Sequence, residues 1–372
     1  MLHDARGCVM AETASSVEAD AAPTPTAVRS KIILAAHLSW FVYWWTGPET
    51  HCKYEDLAGI SGDVNNPLLK PPKYGPVKPF GDAGEVQKCI QHVVAGLGPN
   101  ANLELWEPEQ HACLISAHEG GKKRLVVVFR GTFDGKDILS DVKVNLVNLS
   151  HRSGAGNGRA PPGKVHSGFL KHLSRGGGLE RMLQRIDELA AGASSDAPVE
   201  VLITGHSLGA AVATLFTSLL LAPENGGSAP SRAVPLHVTL VTFGSPRCGD
   251  FTFALGLAGP HAGARLHTYR VQNEFDPISR VPWLLPTPGA YVHHQSHHVW
   301  LDRGVVHTAT GPIPKASVPI NPLFWARRWV HGTNLAGIAV HKMGTKTGYV
   351  LALEKSVWPE EARAEESAVA RL

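Results

Sequence analysis

The chain has 372 residues, enough to bury a large hydrophobic core in one large domain or two small ones. With 43% hydrophobic and 18% charged residues, most of it is predicted to fold rather than to stay disordered. Its 35 basic and 32 acidic residues give a net charge of +3, which argues against a nucleic-acid binder held by bulk charge, and its five cysteines exclude a disulfide scaffold.

Residues 1–28 are rich in Ala, Thr, Ser and Pro, and we expect them to form a disordered leader. No basic segment followed by an apolar run marks a secretory signal there, and the scattered acidic residues argue against a transit peptide. With the odd number of cysteines, this favours an intracellular protein, cytoplasmic or peripherally membrane-associated, with organelle targeting left open. Residues 357–372 are predicted to be a charged tail, so that one domain covers residues 29–356.

The most apolar stretch, residues 32–45, predicts a buried or interfacial helix. It is shorter than the ~20 residues that span a bilayer, so a membrane anchor is the alternative interpretation. Its aromatic end, residues 41–45, is a candidate for transient contact with membranes or lipid droplets.

Strand-like and helix-like segments alternate through the rest of the domain. Continuous apolar runs, typical of strands buried on both faces, occupy residues 124–129, 199–204, 236–243 and 266–271. Apolar residues at helical spacing predict helices over 179–189 and 207–222. The predicted fold is therefore α/β, a mostly parallel central sheet with helices on both faces and its site at the carboxyl ends of the strands.

The sharpest signal is GHSLG at residues 205–209, between a predicted strand and a predicted helix. This strand, tight turn and helix form a nucleophile elbow, which lifts the hydroxyl of Ser207 above the sheet. The helix amides that follow favour a developing negative charge. We expect the amides of Leu208 and Thr132 to bind the oxyanion, because Thr132 ends the turn that follows the strand at 124–129.

Six segments form a characteristic set in chain order: FRGT at 129–132, DILSD at 137–141, VHSGF at 165–169, GHSLGAA at 205–211, TFGSPR at 242–247 and VQNEFDPISRVP at 271–282. Taken together, these motifs resemble the class 3 (fungal-type) lipase family of the α/β-hydrolase superfamily, over about residues 30–353.

The resemblance implies a Ser-Asp-His triad with Ser207 as nucleophile, Asp276 as the acid and His341 as the base. Asp276 follows the predicted strand at 266–271 and comes after the serine in chain order, with Glu274 in reserve. His341, which Tyr349 follows as the family pattern suggests, competes with His331 for the role of base.

Other histidines invite a second interpretation. The cluster HHQSHH at 293–298 has metal-like spacing on a helix, but the segment resembles a strand of the family. On a strand, residues four apart lie about 13 Å from each other, too far for one ion. We therefore predict neither a metal nor an organic cofactor, and His166 is expected to be structural.

Residues 133–164 are expected to carry a lid. Apolar residues there recur at partly helical spacing: Ile138, Leu139, Val142, Leu146 and Leu149. A loop rich in Gly, Pro, Arg and Ser follows them. A lid of this kind could open at a lipid surface, although a surface helix that never moves is the alternative.

The predicted activity is that of a serine carboxylic-ester hydrolase acting on lipid esters, acylglycerols first. A phospholipase or galactolipase and an acyltransferase of the same fold are alternatives, because the same acyl-enzyme serves all three. An inactive lipid-binding module is the alternative of another class. No nucleic-acid partner is expected, and the sequence leaves the oligomeric state open.

Overall fold

The computed structural model describes residues 25–45, 83–98, 101–119, 122–132, 145–149, 163–194, 197–222, 235–258, 265–274, 276–281, 291–293, 296–302, 304–311, 341–344 and 348–359. Most of the predicted leader and tail, most of the predicted lid segment and His331 lie outside these residues.

One eight-stranded sheet organises the described residues. Its strands are β1 Asn102–Glu107, β2 Ala112–Glu119, β3 Lys122–Phe129, β6 Val199–His206, β7 Leu236–Phe243, β8 Leu266–Asn273, β9 Ser296–Asp302 and β10 Val305–Gly311; β4 Leu146–Asn148 and β5 Lys164–His166 form a separate pair. The order in the sheet is β1-β2-β3-β6-β7-β8-β9-β10. The five central strands β3, β6, β7, β8 and β9 are parallel, and β1, β2 and β10 are added antiparallel at the two edges. The mostly parallel sheet confirms the predicted fold class.

Helices cover both faces of this sheet. Their bounds are α1 Pro25–Trp45, α2 Ala83–Leu97, α3 Ser167–Leu173, α4 Gly178–Ala190, α5 Leu208–Leu221, α6 Phe251–Ala258 and α7 Tyr349–Lys355. One core contains side chains of α1, α2 and α7, and the other contains side chains of α3, α4 and α5. In β3, Val126 and Val128 join the first core whereas Leu125 and Val127 join the second, because successive side chains of a strand point to opposite faces.

The apolar stretch at 32–45 lies in α1, whose side chains pack into the core. The helix begins at Pro25, so the predicted leader boundary at residue 28 is wrong by one turn. Proline is favoured at the first position of a helix because its missing N–H would have no helical partner there. Phe41 and Tyr43 are buried, which removes them as a lipid-contacting surface. No helix within the described ranges has both the length and the apolar character of a membrane span.

Two other boundaries also differ from the predictions. Leu146, assigned to a helical lid pattern, lies in a short strand, β4 (Leu146–Asn148), paired with β5 (Lys164–His166). Leu149 is buried in the second core, so this end of the predicted lid is part of the folded domain. At the other terminus, Val357 exchanges backbone hydrogen bonds with Gly304 and Val306, and Trp358 is buried. The charged tail therefore does not begin at residue 357.

Candidate active site

A sharp turn between β6 and α5 carries Ser207. Its backbone has φ 58° and ψ −126°, a conformation that L side chains rarely adopt. The turn depends on two glycines: a Cβ on Gly205 would lie 2.5 Å from the carbonyl oxygen of Gly209, and a Cβ on Gly209 would collide with the carbonyl of Phe129. The strained serine between two close-packed glycines is the nucleophile elbow of an α/β-hydrolase fold.

Three side chains from separate parts of the chain meet at this turn. The Nε2 atom of His341 lies 2.9 Å from the Oγ atom of Ser207. Its Nδ1 atom lies 2.9 Å from the Oδ2 atom of Asp276. All three side chains are buried. The structure thus brings together the serine, the acid and one of the two histidines predicted for a triad, within the reach that general-base catalysis requires.

Asp276 is held by several donors and has no solvent exposure. Its Oδ2 also accepts a 2.5 Å hydrogen bond from the Tyr349 hydroxyl, and its Oδ1 accepts one of 2.8 Å from the Ile278 N–H. Burial by itself would raise the pKa of Asp276, but the charge of His341 and these hydrogen bonds outweigh it and lower the pKa below its ordinary value. The carboxylate is therefore ionised and oriented near neutral pH.

The two reserve candidates have different positions. Glu274 lies just beyond the end of β8, where its N–H donates to the carbonyl of Leu301, while Asp276 makes the contact with His341. His331 lies outside the described residues, so only His341 can be placed against Ser207. Gly244 leaves room for the side chains of Asp276 and His341. Its backbone has φ 55°, and a Cβ there would lie 2.6 Å from Asp276 Oδ2 and 3.0 Å from the His341 ring.

The predicted oxyanion segment runs beside the elbow. β3 and β6 are parallel neighbours, with Phe129 opposite Gly205, so the residues after β3 pass alongside Ser207. A Cβ on Gly131 would lie 3.0 Å from the Cβ of Ser207. Thr132, the next residue, is half-buried, and Leu208 begins α5. Leu208 directly follows the serine and Thr132 directly follows Gly131, so the backbone amides of these two residues remain the predicted oxyanion donors.

Two side chains at the site were missed by sequence reasoning. The His206 ring is buried between Tyr43 and His341: its Nδ1 lies 2.8 Å from the Tyr43 hydroxyl, and its Nε2 lies 2.5 Å from the backbone oxygen of His341. Burial, together with the charge of His341, lowers the pKa of His206 to about 3, so the ring is neutral. Tyr43 lies 163 residues before His206 and carried no motif that could have identified it.

The remaining predicted histidines do not converge. His166 caps α3, where its ring accepts a 3.1 Å hydrogen bond from the Gly168 N–H. His293 bonds to the Ser279 oxygen at 2.7 Å, His297 stacks on Tyr269, and His298 lies 2.6 Å from the guanidinium of Arg270. His297 and His298 lie in β9, as the strand interpretation predicted, and His294 lies outside the described residues.

A different trio in the described part of the chain brings possible metal ligands together. Atoms of His37, His92 and Glu354 lie within 4.8 Å of one another. The two imidazole rings are stacked, however, with centroids 4.1 Å apart and an interplanar angle of 11°. A bound metal lies in the plane of each imidazole, so parallel stacked rings cannot both face one ion, and we assign no metal to this group.

Comparisons with known proteins show that the central part of the chain is similar to lipases and phospholipases. The family Lipase (class 3) matches residues 126–285. Phospholipase A1-II 3 of Oryza sativa subsp. japonica is 32% identical over 180 residues, which cover 46% of this chain and 41% of the rice protein. The secreted mono- and diacylglycerol lipase 1 of Fusarium solani is 29% identical over 189 residues, covering 50% of this chain and 47% of the fungal protein.

The chain spans about half the length of the curated relatives it matches. Among solved structures, the native Rhizomucor miehei lipase propeptide complex is 20% identical, with a TM-score of 0.45, over 78% of this chain and 74% of that chain.

Proposed function

We propose that this protein is a serine carboxylic-ester hydrolase that acts on lipid esters, with acylglycerols as its main substrates. The match of residues 126–285 to the class 3 lipase family supports this proposal. One observation carries the proposal: the His341 ring joins Ser207 and Asp276 through two hydrogen bonds of 2.9 Å. An ordinary buried serine has no need of a base that is itself oriented by a buried carboxylate.

The first half-reaction acylates the serine. His341 Nε2 takes the proton of Ser207 as its oxygen attacks the ester carbonyl, and Asp276 stabilises the imidazolium that forms. The negative charge on the former carbonyl oxygen is bound by the amides of Leu208 and Thr132. The bond to the alkoxy group then breaks, and the alcohol leaves with the proton held by His341.

The second half-reaction releases the acid. His341 now takes a proton from water, which attacks the acyl-enzyme at the same carbonyl carbon. The ester bond to Ser207 breaks, and His341 returns its proton to the serine oxygen. An alcohol in place of water would give acyl transfer by the same steps, so the acceptor decides between hydrolase and acyltransferase.

A phospholipase A1 is the second candidate, because relatives that the chain matches carry that name. The triad serves either substrate, since the chemistry takes place at the ester carbonyl and not at the head group. The preference between acylglycerols and phospholipids therefore depends on the residues that contact the head group of the substrate.

Labelling with a fluorophosphonate tests the proposal, using the wild-type protein beside Ser207→Ala. We expect labelling of the wild type only, because the reagent requires an activated serine. Labelling that persists in Ser207→Ala would place the reactive serine elsewhere. An unlabelled wild type, both with and without detergent or lipid vesicles, would favour an inactive lipid-binding module.

A substrate panel then separates the candidates. Release of fatty acid from a diacylglycerol emulsion faster than from phosphatidylcholine vesicles supports the acylglycerol proposal, and the reverse order supports a phospholipase. Adding a long-chain alcohol and measuring the ester formed tests for acyl transfer.

We also propose an intracellular location, which three buried free cysteines support: Cys89, Cys113 and Cys248. Cell fractionation of the natural source, with flotation of the protein on liposomes, tests the location and any transient contact with lipid surfaces.

A further inference from the structure

Two buried hydrogen bonds link Tyr43 of α1 to the backbone of His341. The Tyr43 hydroxyl lies directly against Gly131, where an added Cβ would collide with it. The hydroxyl lies 2.8 Å from His206 Nδ1, and His206 Nε2 lies 2.5 Å from the backbone oxygen of His341. Tyr43 and His206 are both buried. The two hydrogen bonds therefore run through the interior, from one side of Ser207 to the other.

The donors and acceptors in these two hydrogen bonds allow one arrangement only. A backbone carbonyl accepts and cannot donate, so the Nε2 atom of His206 must carry the ring proton that it donates to His341. The ring is neutral, because burial and the charge of His341 lower its pKa to about 3. Its Nδ1 atom is then a bare acceptor, and the Tyr43 hydroxyl must donate to it.

We propose that Tyr43 and His206 are positioning residues that hold the backbone of His341 at the distance from Ser207 that proton transfer requires. The inference rests on the proposed serine-hydrolase function. It makes α1, which lies before the family-matched residues 126–285, a working part of the active site. His341 lies 134 residues beyond the serine, and its own carbonyl receives the His206 bond. A displacement of about 1 Å at this point can cost two orders of magnitude in rate.

The same pair of elements offers a matched control. One turn before Tyr43, the Ser39 hydroxyl lies 2.9 Å from that of Thr204, so it also joins α1 to β6 by a buried hydrogen bond. Among the described residues, the hydrogen bonds of Ser207, Asp276 and His341 do not include Ser39. Ser39→Ala and Tyr43→Phe each delete one buried hydroxyl between the same helix and strand, and only the second interrupts the hydrogen bonds to His341.

Kinetics of the two variants test the inference. With a soluble p-nitrophenyl ester, we expect Tyr43→Phe to lower kcat about tenfold at an unchanged KM, as for loss of one buried hydrogen bond that acts in the transition state. Ser39→Ala should leave kcat unchanged, although both variants should lose thermal stability to a similar extent. A third variant, His206→Gln, keeps an amide donor near the Nε2 position and should retain more activity than His206→Leu.

The pH dependence of fluorophosphonate labelling adds a measurement that stability does not affect. Tyr43→Phe should lower the labelling rate on the plateau and leave the inflection on the acid side in place. Equal plateau labelling rates in wild type and Tyr43→Phe would overturn the inference. So would a plateau labelling rate that falls as much in Ser39→Ala as in Tyr43→Phe. A wild-type protein that fails to react would overturn the proposed function itself and the inference with it.

Discussion

Replacing Tyr349 by phenylalanine removes one oxygen atom from the floor of the site. That oxygen donates a 2.5 Å hydrogen bond to Asp276 Oδ2 and accepts one of 3.2 Å from the Asn273 N–H. Tyr349 and Asp276 are fully buried, so water cannot replace the lost bond. Hydrogen bonds to charged groups contribute about 1.5–3 kcal/mol, and we expect Tyr349→Phe to lower the free energy of unfolding by about 2–3 kcal/mol at pH 7.

The effect should depend on pH in a defined direction. Burial would raise the pKa of Asp276, but His341, Tyr349 and Ile278 lower it overall. The stability that this carboxylate contributes is therefore present above its unfolded pKa of about 3.9 and is lost as the pH falls through the lower folded value. Without the Tyr349 hydroxyl, the pKa of Asp276 rises. The variant then protonates first in acid, and its deficit in stability shrinks below about pH 4.

Urea unfolding at several pH values between 3 and 7.5, with kcat at pH 7, measures both effects. Tyr291→Phe is a suitable control, because the Tyr291 hydroxyl is buried and has no hydrogen-bond partner among the described residues. We expect the control to change stability by less than about 1 kcal/mol. A Tyr349→Phe variant as stable and as active as Tyr291→Phe would refute the assignment of Tyr349 as a support of Asp276.

Three further predictions concern the fold around the site. Gly209→Ala should yield no labelled, folded protein, because the added Cβ meets the Phe129 carbonyl; soluble protein with wild-type labelling would contradict this. Trp358→Ala should cost about 3–5 kcal/mol of unfolding free energy, and a melting temperature equal to wild type would show that the segment is dispensable. The free energy of unfolding should fall as the pH drops below about 6.5, because the folded pKa of the buried His206 is about 3 and the unfolded chain binds the proton first. The slope should reach up to about 1.4 kcal/mol per pH unit for such a histidine. Unfolding free energies that stay flat from pH 7 to 5 would contradict this prediction.

The parts of the fold that the sequence predicted are those encoded locally. The strand at 236–243 was predicted with its observed bounds, because a strand buried on both faces is a continuous apolar run that needs no partner to be recognised. The elbow was equally visible, since its strand, glycines, serine and helix are contiguous. The edge strands β1 and β2 were missed. In β1 most side chains are only half-buried, which gives a weaker pattern.

Contacts between distant segments explain the other errors. Leu146 fits a helical pattern, but β4 forms because its backbone pairs with β5, 16 to 20 residues later in the chain, and this pairing outweighs the local spacing. Tyr43 looked like part of an apolar helix, and only its 2.8 Å bond to His206 reveals its connection to the site. The resemblance favoured His341 over His331 as the base. Its contact with Ser207, however, depends on how the segment that carries His341 folds back against the sheet, 134 residues after the serine.

The distance along the chain between Ser207 and His341 also has a consequence during protein synthesis. The elbow and its strand can form as soon as their own residues leave the ribosome, but the base arrives 134 residues later. At about 5–20 residues per second, the growing chain carries a serine without its base for several seconds or more. The order of the three residues thus delays the proposed hydrolytic activity until the sheet that positions them has been assembled.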